Sequence, residues 1–202
     1  MNVRLRYELP FTAGVYYDGS FYMNNYTLRV LMATVSEDPE DQSTAFERLK
    51  YFVYAGMEST VFIDAAETEQ CNRYVQAGLD ITTMPGEPVD QLIGIMLYHK
   101  LNAVMESRMI VFETELSSAV GEYMTYLHSD EEDTVGYVQP EWWTTADLTH
   151  SEFATANPDN VVAISQATAW RDLDLAWADD TTDDDTGNVV VFADFKQPNE
   201  TK

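Results

Sequence analysis

From Val89 to Val104 the apolar residues return every three or four positions: Val89, Leu92, Ile93, Met96, Leu97, Leu101 and Val104. That spacing predicts an amphipathic helix over 87–106, with Pro88 in its first turn, where a missing N–H costs nothing. A stripe this wide must be covered, and two long runs near the start of the chain can cover it. Residues 3–11 alternate and predict a strand ending at Pro10. Residues 21–35, rich in aromatic and branched side chains, predict a second strand, and Gly14 with Asp18-Gly19 predicts the turn between them. A helix is expected from Ser43 to Ala55, with Thr44 and Glu47 as a capping box, Phe46, Leu49 and Val53 on one face, and Gly56 as its stop. Thr60-Val61-Phe62-Ile63 reads as a short buried segment, residues 66–77 as a weaker helix, and Arg108–Leu116 as a strand. The order predicts an α+β fold: an antiparallel sheet with helices packed on one face.

The composition shifts after His128. Asp130-Glu131-Glu132-Asp133 reads as an acidic hinge, residues 179–187 as a solvated loop and Val189–Phe195 as a last strand. All four tryptophans lie beyond the hinge (Trp142, Trp143, Trp170, Trp177). A tail so rich in indole should pack against something. The expected division is therefore a domain over 1–128 and an acidic extension over 129–202, packed on that domain or on a neighbouring subunit.

Thirty-five acidic residues face eleven basic ones, for a net charge of -24. Such a surface repels phosphate backbones and anionic membranes, so neither direct nucleic-acid binding nor membrane binding is expected. Two explanations stay open: adaptation to salty surroundings, which the scarcity of lysine fits, or an acidic surface that mimics DNA. The single cysteine, Cys71, excludes an internal disulfide and any multi-cysteine zinc site. Met1–Arg6 lacks the apolar core of a signal peptide, and a cytoplasmic location is expected. His99, His128 and His150 have no metal-ligand spacing, and Asp183-Asp184-Asp185 lacks the pattern of a calcium loop.

The order of elements, and five short pieces within it, resemble the tunnelling-fold family of 6-pyruvoyl- and 6-carboxy-tetrahydropterin synthases. The pieces are Phe46–Lys50, Met57–Asp64, Met84–Glu87, Val111–Thr114 and Ser117–Tyr123. The resemblance covers residues 3–124 and implies a barrel completed only when subunits join, hence a homo-oligomer. It also exposes departures. The family holds zinc with three histidines, two of them in a His-Gly-His-Asn-Tyr run. Here that run is Tyr22-Met23-Asn24-Asn25-Tyr26, and the earlier ligand falls near Val15. Zinc needs imidazole, thiolate or carboxylate donors, so no metal site and no cofactor are expected. The family's catalytic cysteine has no counterpart either, and its Asp-His pair reads Glu58-Ser59.

Ligand capture is what the resemblance leaves. It implies that Glu113 grips the amino-pyrimidine edge of a pterin or purine-like ring, because two carboxylate oxygens match two adjacent N–H donors. Glu87 is the other retained glutamate and either supports the site or caps its helix. Asn24 and Asn25 are candidate contacts in the vacated metal pocket. Glu113 reads equally well as an ordinary outward charge, and the two asparagines as a bulge or turn pair. Tyr16, Tyr17, Tyr22 and Tyr26 read as core or interface packing. Three functional readings follow: a zinc-free paralogue that binds a pterin or 7-deazapurine-like ring, a metal-free enzyme with Glu58 and Tyr22 as proton-transfer candidates, or a non-catalytic interaction protein with an acidic surface.

Overall fold

The computed structural model of the chain describes residues 4–129, 138–151 and 169–178. The expected hinge at 130–133, the loop at 179–187 and the strand at 189–195 lie outside them. Two long strands, β1 (Arg4–Tyr17) and β2 (Ser20–Thr34), form a hairpin closed by Asp18 and Gly19, both at positive φ (48° and 72°). This Asp-Gly pair twists with the strands it joins. Gly14, expected in a turn, sits inside β1 instead. A Cβ there would come 2.6 Å from the Phe21 ring, so what the position demands is space. Nor does β1 stop at Pro10. It pairs with β2 throughout, Pro10 against Thr27, while its second neighbour touches it only at Gly14 and Val15, so one side of β1 at Pro10 is an open edge where proline is tolerated.

After the hairpin come α1 (Pro39–Tyr51), β3 (Val61–Asp64), α2 (Thr68–Gln76), β4 (Ile81–Met84), α3 (Asp90–Val104), β5 (Met109–Ser118) and β6 (Tyr126–Ser129). The six strands make one sheet in the order β4-β3-β1-β2-β5-β6. Its β1-β2-β5-β6 part is antiparallel, while β3 and β4 add on in parallel. Helix α2 packs through Cys71 on Val61, Ile63 and Ile81 of one face, while α1 and α3 lie on the other. Leu9, Phe11, Ala13 and Val15 of β1 and Tyr26, Leu28, Val30 and Met32 of β2 all point at them and are buried. The opposite face carries Arg6, Glu8, Arg29 and Glu115, with Arg6 paired to Glu115 and Arg29 to both Glu8 and Glu115.

Helix α1 begins four residues earlier than the sequence suggests. Its cap is Asp38, which accepts from Glu40 N at 2.9 Å, rather than Thr44 with Glu47. Glu40 and Asp41 stand in the first turn and Arg48 and Lys50 in the last, matching the helix dipole. Gly56 does not stop the helix. The chain widens into a π-helical segment, Phe52–Met57, in which Glu58 N reaches back to Val53 O at 3.1 Å. Helix α3 starts at Asp90, so Pro88 precedes it, and Val89 occupies the cap position without a capping side chain.

Almost all of α3 is buried, well beyond the predicted stripe. The sheet covers one side, and the tryptophan-rich tail covers the other. Trp142, Trp143, Trp170 and Trp177 are all buried and belong to the main core. Lys100 of α3 donates to Trp142 O and Thr145 O, both at 2.9 Å, and the Trp143 ring stacks on His99. Arg48 of α1 lies 3.8 Å from the centre of the Trp177 ring and donates to Leu175 O at 2.7 Å. Burying an aromatic side chain stabilises a fold by roughly 2–3 kcal/mol, so these four anchors are a large share of a domain's margin.

Candidate functional site

Strand alternation sends Asn24 and Tyr26 to the face that carries α1 and α3, at the end of the sheet where the hairpin runs past the start of α3. Val15 and Tyr17 of β1, Pro88, Val89 and Asp90 before and in α3, Val120 and Gly121 after β5, and Tyr126 of β6 complete the walls. They enclose about 250 Å³, enough for a small ring. No residue of the described tail lines this pocket.

Its polar atoms are held from several sides. The Ser118 hydroxyl donates to Asp90 Oδ2 at 2.6 Å and accepts from Gly121 N at 3.0 Å. A Cβ on Gly121 would stand 2.3 Å from that same oxygen, so only glycine lets the turn close on Asp90. Asn24 is 2% exposed, and its Oδ1 accepts from Val120 N at 3.0 Å. The Tyr26 ring stacks on Phe11 at 5.0 Å and meets the edge of Phe62 at 5.7 Å, which fixes its plane. Its hydroxyl is buried and has no hydrogen-bond partner among the described residues. An orphaned buried hydroxyl is costly, and such groups concentrate at binding sites.

Burial pushes the Tyr26 hydroxyl well above the usual phenol range, and the Asp90 charge adds to it. The Asn24 side chain offsets part of the shift, close enough to be felt without a normal hydrogen bond. Burial likewise raises the Asp90 carboxyl, with the Ser118 contact working against it. Desolvated carboxyl and phenol groups facing one cleft are the usual mark of a site that handles a polar ligand or a proton.

The residues singled out in the sequence are scattered by comparison. Asn25 points to the opposite face of the sheet and accepts from the Thr12 hydroxyl at 2.9 Å. Glu113 is half-buried on that opposite face, paired across the sheet with Leu31 and Ser129. Leu31 is seven residues along β2 from Asn24, about 23 Å at 3.3 Å per residue, but the lining residue Tyr126 pairs with Leu116, three residues from Glu113, so what separates Glu113 from the pocket is the face it points to. Glu87 is exposed beside the pocket, and its carbonyl accepts from Val89 N at 2.8 Å. Glu58 is exposed at the end of the π-helical segment, and Tyr22 is 43% exposed on the hairpin, outside the lining. Only Asn24 of the six stands in the pocket. Tyr26, read as packing, and Asp90, not singled out, join it there, with Ser118 behind Asp90.

The histidines lie elsewhere. His99 and His128 are 5.9 Å apart, centre to centre, a proximity their separation in the sequence conceals, and His150 pairs with Asp80 at 2.9 Å. Among the described residues no group of three or more His, Cys, Asp or Glu side chains is placed to hold a metal ion. The zinc implied by the resemblance does not fit: Val15 has no donor, and Asn24 Oδ1 is committed to Val120. No helix among the described residues is long and apolar enough to cross a membrane.

No family model matches the sequence, and no curated protein matches it. Among solved structures the chain is similar to 6-pyruvoyl tetrahydropterin synthase from Plasmodium vivax, at 10% identity over 63% of this chain and 97% of that one, with a TM-score of 0.42. It is similar also to the Plasmodium falciparum 6-pyruvoyl tetrahydropterin synthase, at 11% identity over 68% and 99%, with a TM-score of 0.39. An uncharacterised protein from Wolinella succinogenes gives 8% identity over 64% and 99%, with a TM-score of 0.47.

Proposed function

We propose that this chain binds a small, flat, nitrogen-rich ring of the pterin or purine class, without a metal, in the pocket walled by Asn24, Tyr26 and Asp90. One observation carries the reading. A buried, unpartnered Tyr26 hydroxyl shares a pocket of ring size with a desolvated Asp90 carboxyl. A ring bearing N–H and C=O groups partners both, and Val15, Pro88 and Val89 supply apolar contact for its faces. Glu113 points to the opposite face of the sheet and does not reach the same ring within one subunit. In this reading it takes part only when a second copy brings it to the pocket.

The test is calorimetric titration of the full chain with pterin and with 7-deazaguanine, with chelator present. Binding is expected in the wild type, weakened about tenfold or more in Asp90→Ala. Absence of binding, or binding that Asp90→Ala leaves unchanged, refutes the reading. The weaker effect of Glu113→Gln, if it scales with protein concentration, identifies a two-copy site. A carboxyl and a phenol lining one pocket also suit proton transfer, so turnover that chelator leaves intact is looked for in the same samples.

A further inference from the structure

The polar groups of the pocket form a directional set. Asn24 Oδ1 is taken by Val120 N–H at 3.0 Å, and this fixes the amide orientation. What Asn24 offers the pocket is therefore its Nδ2, a pure donor. Asp90 Oδ2 is taken by the Ser118 hydroxyl at 2.6 Å and hemmed in by Gly121. What Asp90 offers is therefore its other oxygen, an acceptor while it is ionised. The same pocket is lined by Tyr26, whose buried hydroxyl has no hydrogen-bond partner among the described residues. A hydroxyl gives or takes, so it follows whichever ligand group arrives.

Granted the ring-binding reading above, we infer that the pocket selects rings with a cyclic amide edge, an N–H beside a C=O. It disfavours rings whose corresponding edge is a bare ring nitrogen beside an amino group. In the favoured pose the ring N–H donates to Asp90, and the ring carbonyl accepts from Asn24 Nδ2 and the Tyr26 hydroxyl. The amino-type edge reverses both contacts. Its NH₂ meets the Asn24 NH₂, and its ring nitrogen turns a lone pair toward the carboxylate. Two partly buried polar groups are then left opposing like groups. Sites built around such pairing reject the mismatched ring strongly, because the protein's own groups go unpaired. The pocket keeps one side open, so the discrimination expected here is about tenfold to a hundredfold.

The experiment titrates the full chain with two matched pairs: hypoxanthine against adenine, and pterin against 2,4-diaminopteridine. Within each pair, the exchange of a carbonyl for an amino group reverses this edge. The oxo member of each pair is expected to bind at least about tenfold tighter in the wild type. Asn24→Asp keeps an acceptor for Val120 N–H but removes the donor. Asp90→Asn keeps an acceptor for Ser118 but turns the free oxygen into a donor. Each variant should shrink the oxo preference to near parity, with folding checked by circular dichroism. Equal binding of oxo and amino members in the wild type, or a preference that both variants leave intact, overturns the inference while ring binding stands. No binding of any of the four overturns both.

Discussion

Arg48→Ala probes how the tail is tied to the domain. Arg48 is 1% exposed, and its guanidinium donates to Leu175 O at 2.7 Å, Val104 O at 3.3 Å and Glu106 Oε1 at 2.7 Å. Its charge sits over Trp177 at 3.8 Å and over Trp170 at 5.0 Å. Truncation leaves two carbonyls short of a donor, about 1–2 kcal/mol each, and removes cation–π contact worth about 1–2 kcal/mol when desolvated. The Glu106 pair adds about 1 kcal/mol at most, since that carboxylate is partly exposed and regains water. Against these stands the relief of no longer burying a cation, so the net loss expected is about 3–5 kcal/mol. Urea unfolding followed by tryptophan fluorescence is the assay, because Trp170 and Trp177 report on the site directly. With a slope of about 2 kcal/mol/M, the midpoint should fall by about 1.5–2.5 M. Arg48→Lys should recover little, since an ammonium cannot serve three acceptors across a planar fork and stack on indole. A loss under about 1 kcal/mol for Ala, or full recovery by Lys, would refute the claim that this guanidinium clamps residues 169–178 to α1.

Three other outcomes are expected. Burial holds the Lys100 ammonium down to about 8 from 10.5, with Asp147 pulling the other way. Between those values the unfolded chain keeps a proton the folded chain has released, so this group's stability is present above 10.5 and is lost as pH falls through about 8. The stability of the wild type relative to Lys100→Met should therefore rise by about 3 kcal/mol from pH 7 to 10.5, and a flat difference in urea midpoints sinks the assignment. Gly121→Ala forces Asp90 aside and should weaken ring binding about tenfold or more while barely moving the thermal midpoint; unchanged binding would show that the turn has room. Asp38→Ala removes the cap of α1 and should cost about 1 kcal/mol by urea titration, whereas Thr44→Ala should cost much less; the reverse order would restore the capping box expected at Thr44.

The hairpin and α3 were legible in the sequence because each rests on a long signal: alternation over residues 3–11 followed by an aromatic and branched run over 21–35, and a stripe over four turns. Of the β3–β4 pair only Thr60–Ile63 was legible, as a short buried segment, and neither Ile81–Met84 nor the parallel pairing was. Its two segments, Val61–Asp64 and Ile81–Met84, are four residues each and buried nearly throughout, so no alternation survives to mark them. Gly14 was misread because glycine signals a turn as readily as a place where a ring lies on the backbone. The π-helical segment hid behind Gly56, which does not end it. In the candidate site, Asn24 was legible from the run that resembles a metal-binding strand. Asp90 and Tyr26 were not, because their chemistry arises from convergence. One opens a helix that looks like core, the other stacks on Phe11, and only the packing of α3 over β5 and β6, with β2 alongside, brings carboxyl and phenol into one cleft. Alternation alone puts Glu113 on the outward side of β5, and the sheet agrees.

The Arg6, Glu8, Arg29 and Glu115 lattice, on the face away from α1 and α3, has a consequence apart from its small energetic worth. A strand that slides by one residue turns every side chain over. Here such a slip would drive guanidinium groups from β1 and β2 into a layer of leucine, methionine and phenylalanine with no counter-ion at hand. Misaligned hairpins are thereby penalised during folding far more heavily than the correct one is rewarded. Damage to the interior of this sheet should accordingly show up as unfolded chain, not as a folded population with shifted strands.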